Sequence, residues 1–189
     1  QKVEIARSRC SQVLEVLESQ RVAIHFAEDK RWGWGLAAWE LGSAYKRHEP
    51  LERLARPVIT KLVDELSKRA NVVGHLGVLD GSDVLYLIEQ RPIRSLKLVT
   101  EVGVRLPAHL TASGRSMLAH LGQKQLIATF GSGELSKRTS LGPKTLRELT
   151  GLLATEAKSD VALEVDEVTL AYASVGVHIC DRRNQLIAG

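Results

Sequence analysis

The sequence predicts an α+β fold with an antiparallel sheet. Three observations carry that expectation. Helical periodicity, broken by one short hairpin, fills residues 5–69. Strand alternation with turn chemistry sets in at Asn71, and strands return at Val161 after two further helical runs. Helices, a β-meander, a helical insertion and β again is the order of an α+β chain.

Residues 5–19 form the first expected helix, with Val13, Leu14, Val16 and Leu17 on its apolar face. Ser8 stands where an N-cap would, and Ser11 and Gln12 fall on the wet face. Residues 21–26 and 31–35, separated by Ala27-Glu28-Asp29-Lys30, read as a hairpin. A helix followed by a hairpin is how a winged helix-turn-helix ends. The helices that would precede it are absent, so the chain is expected to begin inside that domain. Residues 36–47 read as a second helix with Leu36, Trp39 and Ala44 on its stripe, and Pro50 punctuates it. A third helix over 51–69 lines up Leu54, Val58, Ile59, Leu62, Val63 and Leu66. Two helices between two β-containing units read as a connector, and an apolar connector commonly makes a dimer contact.

Residues 72–79 and 84–89 flank Asp80-Gly81-Ser82-Asp83, a hairpin with Asp-Gly turn chemistry. Residues 94–99 alternate and supply another strand. The run 103–119 then reads as strand end, stiffened approach, small-residue turn and helix. Pro107 cannot donate to a ladder and holds Leu106 extended. Thr111 and Ser113 are both good N-caps, and Met117, Leu118 and Leu121 recur at helical spacing. Such a start leaves backbone N–H groups open to an anion or polar ligand, or simply caps the helix. Helices over 123–130 and 143–158 bracket a Gly/Ser-rich stretch. Strands over 161–165, 174–180 and 186–188 close the chain.

Composition narrows the class. At 189 residues with 44% hydrophobic and 25% charged, the chain can bury a sizeable core. No run approaches ~18 apolar residues, so no transmembrane span is expected, and Gln1-Lys2-Val3-Glu4 opens no signal peptide. Cys10 and Cys180 are too far apart to suggest a disulfide framework or CxxC site, which fits a cytoplasmic protein; each reads as a small buried hydrophobe. The net charge of +4 is spread evenly, so a nucleic-acid partner must be argued from pattern. The six histidines show no metal-ligand spacing, and no nucleophile–base order, paired carboxylates or phosphate loop is present. No cofactor and no enzyme activity are therefore expected. His109 reads as structural, bonding backbone near Pro107, and Trp32, Trp34 and Trp39 as packing the hairpin onto the following helix.

The run Gly103-Val104-Arg105-Leu106-Pro107, continued by His109-Leu110-Thr111-Ala112-Ser113-Gly114-Arg115-Ser116-Met117-Leu118-Ala119, resembles the central motif of the IclR family of bacterial transcription regulators. Arg115-Ser116 stands where that pattern has Lys-Ala, a mild departure. Arg31-Trp32-Gly33-Trp34-Gly35, Leu41-Gly42 and Ile179-Cys180-Asp181 extend the likeness over nearly the whole chain. The resemblance implies a partial winged helix-turn-helix over 1–35, a linker helix over 36–50 and a GAF-like effector-binding domain over 51–189. The last is expected to be C-terminally incomplete. It further implies a palindromic operator of double-stranded DNA, a small-molecule effector, a homodimer or dimer of dimers, and no membrane.

On that footing Arg7, Ser8, Arg9, Ser11 and Gln12 correspond to the start of a recognition helix, where Arg pairs with guanine and Gln with adenine. A solvated helix face accounts for the same residues. Lys30 and Arg31 correspond to wing contacts with phosphate. Ala112 and Ser113 correspond to effector contacts, Leu98 to a pocket wall, Glu164 to an acidic position and Ser174 to one facing the ligand. Ser113 as a cap, Leu98 as core and Glu164 as a solvated edge charge stay open beside these roles. Only Tyr86, Phe130 and Tyr172 are aromatic beyond residue 50, so a stacking pocket is not indicated. An organic or aromatic acid fits the resemblance. An effector-binding or interaction module that no longer binds DNA is the alternative.

Overall fold

The computed structural model describes residues 6–48, 50–92 and 101–189, and the chain divides into two units, residues 1–53 and 54–189. The strand expected over 94–99, with Leu98, lies outside the described residues.

In the first unit, α1 (Arg7–Ser19) buries none of its residues. Ala6, not Ser8, holds the N-cap position, so the helix begins without a side-chain cap and Ser8 sits inside its first turn. β1 (Ala23–Phe26) and β2 (Arg31–Trp34) pair antiparallel, with His25 opposite Trp32. Lys30 closes the loop between them at φ 52°. Gly35 is required by its neighbour, because a Cβ there would lie 2.1 Å from the Arg21 carbonyl oxygen. α2 (Leu36–His48) follows. The tryptophans do not pack as expected: Trp34 is 85% and Trp39 72% exposed, while Trp32 lies against the His25 ring at 4.7 Å. Cys10 is likewise exposed rather than buried.

α3 (Pro50–Leu66) runs through Pro57, which has no N–H to offer the Arg53 carbonyl. The division between the two units falls at that residue. Beyond it, Val63 is buried, and a Cβ at Gly74 would collide with Ile59 and Val63, so the helix and the following strand pack closely.

β3 (Gly74–Asp80), β4 (Asp83–Gln90) and β5 (Arg105–Pro107) form an antiparallel sheet in that order. Asp80 pairs with Asp83 around the Gly81-Ser82 turn, and Val84, Tyr86 and Ile88 point inward at the strand period of two. A 3₁₀ turn (Ala108–Leu110) inserts before α4 (Ala112–Ala119), where a single small-residue turn is expected from sequence. α5 (Gln123–Phe130) and α6 (Leu146–Glu156) complete the helical layer. β6 (Ala162–Val165) pairs with β7 (Ala173–Gly176), and β8 (Ile179–Cys180) with β9 (Leu186–Ala188). The single strand expected over 174–180 is thus two. Gly77 and Gly189 exchange both backbone hydrogen bonds, at 2.8 and 3.0 Å, which joins the β8–β9 ribbon to the edge of β3. Val84, Tyr86, Leu106, Met117, Leu118, Leu149 and Leu153 make the core between sheet and helices.

Candidate functional site

Thr111 caps α4. Its hydroxyl accepts the Gly114 N–H at 3.1 Å and its carbonyl the Arg115 N–H at 2.9 Å. Ser113 is therefore the second helical residue and not the cap, with its side chain turned toward β4. Its Oγ lies 3.4 Å from the Tyr86 hydroxyl. Burial pushes the Tyr86 phenol above its ordinary value, while the hydrogen bonds to Ser113 and Thr111 pull the other way. Tyr86 therefore keeps its phenolic proton at this turn, and either hydroxyl of the pair can donate.

β7 closes over the same helix start. A Cβ at Gly176 would lie 2.2 Å from the Ala112 carbonyl carbon and 2.4 Å from the Ser113 nitrogen. Only glycine lets the strand come this near. Glu164 and Ser174 face each other across β6 and β7. Glu164 is 3% exposed, so the reading as a solvated edge charge is corrected. Its Oε1 accepts the N–H groups of Glu167 and Val168, at 2.7 and 3.1 Å, and Ser174 Oγ donates to Oε2 at 2.5 Å. Three donors thus satisfy the oxygens of this buried side chain. The structure thus brings Ala112, Ser113, Glu164 and Ser174 together around the start of α4, with Glu164 spent on holding the β6–β7 loop.

The nucleic-acid candidates belong to the first unit. Arg7, Ser8, Arg9, Ser11 and Gln12 are all exposed on the first two turns of α1, and Lys30 and Arg31 are exposed at the hairpin. None of these seven side chains has a described partner in the fold that would hold it away from solvent.

The profile of the family described as bacterial transcriptional regulator IclR, C-terminal, matches residues 44–189. The chain belongs to the IclR family. It is 27% identical over 192 residues to the HTH-type transcriptional regulator BhcR of Paracoccus denitrificans (strain Pd 1222), covering all of this chain and 66% of that protein. It is 32% identical over 152 residues to the Pca regulon regulatory protein of Pseudomonas putida, covering 78% of this chain and 50% of that protein. The chain thus spans about two thirds and one half of these relatives. An IclR homologue from Microbacterium hydrocarbonoxydans, solved in complex with 4-hydroxybenzoate, shares the fold with a TM-score of 0.71 at 21% identity, covering 97% of this chain and 74% of that one.

In this IclR-family chain the residue most at odds with its sequence reading is Arg115. It is fully buried in the middle of α4. Nη1 donates to both Glu167 oxygens, at 2.7 and 2.8 Å, Nη2 donates to the Leu163 carbonyl, and Nε lies 3.1 Å from Glu156. The change from Lys is therefore not mild: the three nitrogens of one planar guanidinium reach Glu167, the Leu163 carbonyl and Glu156 at once, which a single ammonium would not. Desolvation pushes Glu156 above its ordinary value, opposed by the Arg115 charge, and its Oε2 is buried with no partner among the described residues. His109 is structural as expected but bonds elsewhere. Its Nε2 donates to the Ser136 carbonyl at 2.8 Å, its ring meets Phe130 edge-on, and burial lowers its affinity for a proton. A cavity of about 250 Å³ opens between α4, α5 and α6, lined by Leu118, Leu121, Leu126 and Leu153. It lies at the far end of α4 from Ser113. Among the described residues no helix is long and apolar enough to cross a membrane.

Proposed function

We propose that this chain is part of a ligand-responsive, DNA-binding transcription regulator of the cytoplasm. In this reading residues 1–35 are the recognition helix and wing of a winged helix-turn-helix, 36–50 the linker helix, and 51–189 the effector-binding domain. Arg7, Arg9 and Gln12 read base edges, with Ser8 and Ser11 beside them, and Lys30 and Arg31 neutralise phosphates. A small metabolite, an organic acid with aromatic acids included, binds at the start of α4. There Ala112 and Ser113 supply first-turn N–H groups and a hydroxyl, and Glu164 with Ser174 sets the shape of the floor. Effector binding shifts operator affinity by favouring one of two quaternary states.

The observation that carries this reading is a fully exposed polar start to α1, followed directly by a hairpin with basic residues at its turn, in a chain of this family. The 4-hydroxybenzoate bound by the Microbacterium homologue supports an acid as the effector class. Trp34, Leu36, Trp39, Leu41 and Tyr45 are all more than half exposed, a larger apolar surface than a lone helix–hairpin unit keeps in water, which supports a homodimer or a dimer of dimers. The even charge distribution favours one other reading, an interaction module that no longer binds DNA.

Selection from sheared genomic DNA of the source organism, followed by sequencing and titration, separates the two. Enrichment of palindromic sites supports the regulator, whereas binding without sequence preference overturns it. Thermal-shift screening against carboxylic acids then tests the effector class, since a ligand at 100-fold its Kd adds about 2.7 kcal/mol.

A further inference from the structure

We infer that His120, His178 and Cys180 form a binding site for a divalent cation of the zinc class. His120 is the C-cap of α4, whereas His178 immediately precedes β8 and Cys180 ends it; both are half-buried while Ile179 between them is exposed. Fifty-eight residues separate the helix ligand from the strand pair, yet their ligand atoms all lie within 4.8 Å of one another. Cys180 Sγ is 4.0 Å from His120 Nδ1 and 3.8 Å from its Nε2, and the two imidazole rings are 5.2 Å apart. A tetrahedral zinc with N at about 2.0 Å and S at about 2.3 Å sets its ligands roughly 3.5 Å from each other. Small rotamer adjustments close that gap.

The surroundings are built in the way metal-bound imidazoles are. His120 Nε2 donates to the Asn184 carbonyl at 3.0 Å, which assigns the proton to Nε2 and leaves Nδ1 as the ring nitrogen free to bind an ion. That carbonyl is itself fixed. Asn184 has φ 59° and donates its N–H to the Asp181 carbonyl, while Asp181 Oδ1 accepts the Arg183 and Gln185 N–H groups at 2.8 Å each. All three ligand residues are part-exposed, so an ion can enter and a water can take the fourth position. Two imidazoles and a thiolate select zinc-class ions over magnesium or calcium, which require oxygen donors. The site stands at the opposite end of α4 from Ser113 and does not depend on the regulatory reading.

Chelator-stripped protein titrated with cobalt(II), and with zinc in competition with a chromogenic chelator, tests the assignment. One ion per chain is expected, with a thiolate-to-cobalt charge-transfer band. Cys180→Ser should abolish that band and weaken zinc at least 100-fold. His178→Ala should weaken zinc by a similar factor, and Cys10→Ser should change neither. Circular dichroism and metal-free melting confirm that each variant folds. A cobalt spectrum of the parent protein lacking the thiolate band overturns the proposal whatever the variants do. So does zinc affinity that survives both substitutions in folded protein.

Discussion

Arg115 shows how much one side chain can hold when its charge is met on every side. It joins α4 to α6, to the β6 backbone and to the β6–β7 loop at once. Truncating it leaves two acidic groups without their cation, so Arg115→Met is expected to cost about 3–5 kcal/mol in chemical denaturation, with Arg115→Lys intermediate. Two neighbouring groups titrate with opposite sign. Glu156 has a raised value in the fold, so its contribution is present below its ordinary 4.5 and lost as pH climbs through the raised value. His109 has a lowered value, so its contribution is present above its ordinary 6.5 and lost as pH falls toward the lowered one. Melting curves across mildly acidic pH should therefore flatten on the alkaline side in Glu156→Gln and on the acid side in His109→Gln. Arg115 was hard to read in sequence because a lone charge is most often solvated. The signal that could have found it is its spacing, three residues from both Ala112 and Leu118 on the inward face.

Helices and strands were more legible than the contacts between them. α5 falls on the expected residues 123–130, because its apolar period is clean and Gly122 and Gly131 bound it. Thr111 caps α4 as its residue type suggests. The 3₁₀ turn before α4 and the break between β7 and β8 carried no periodic mark, since three-residue turns and two-residue strands are shorter than any repeat. The approach of β7 to α4 was also hidden, being a property of what Gly176 lacks. Gly176→Ala is expected to destabilise by about 1–3 kcal/mol and to displace the helix start, read as lost acid binding in calorimetry. In the first unit, the recognition-helix and wing assignments predict different signatures. Lys30→Ala or Arg31→Ala should weaken binding to every duplex and lower the salt slope by about 1, measured by anisotropy over a salt series. Arg9→Ala or Gln12→Ala should instead relax base preference by about 1–3 kcal/mol.

At the scale of the molecule, the α+β class was legible because helical and strand patterning occupy separate blocks of sequence. Packing order was not. The Gly77–Gly189 pairing links residues more than a hundred positions apart, and nothing local announces it. The tryptophans misled for a related reason: their bulk reads as core, yet the first unit leaves Trp34 and Trp39 in solvent. If that face joins two copies, Trp39→Ser should shift sedimentation toward a monomer while leaving the melting of the second unit unchanged. The position of Arg115 has a mechanical corollary. α4 is about 12 Å long, and its buried guanidinium grips it near the midpoint. Held there and buried along most of its length, the helix keeps its Ser113 and His120 ends in fixed register. Any influence of a ligand at one end on a ligand at the other would have to pass through this anchored helix, and would act on both affinities by the same factor.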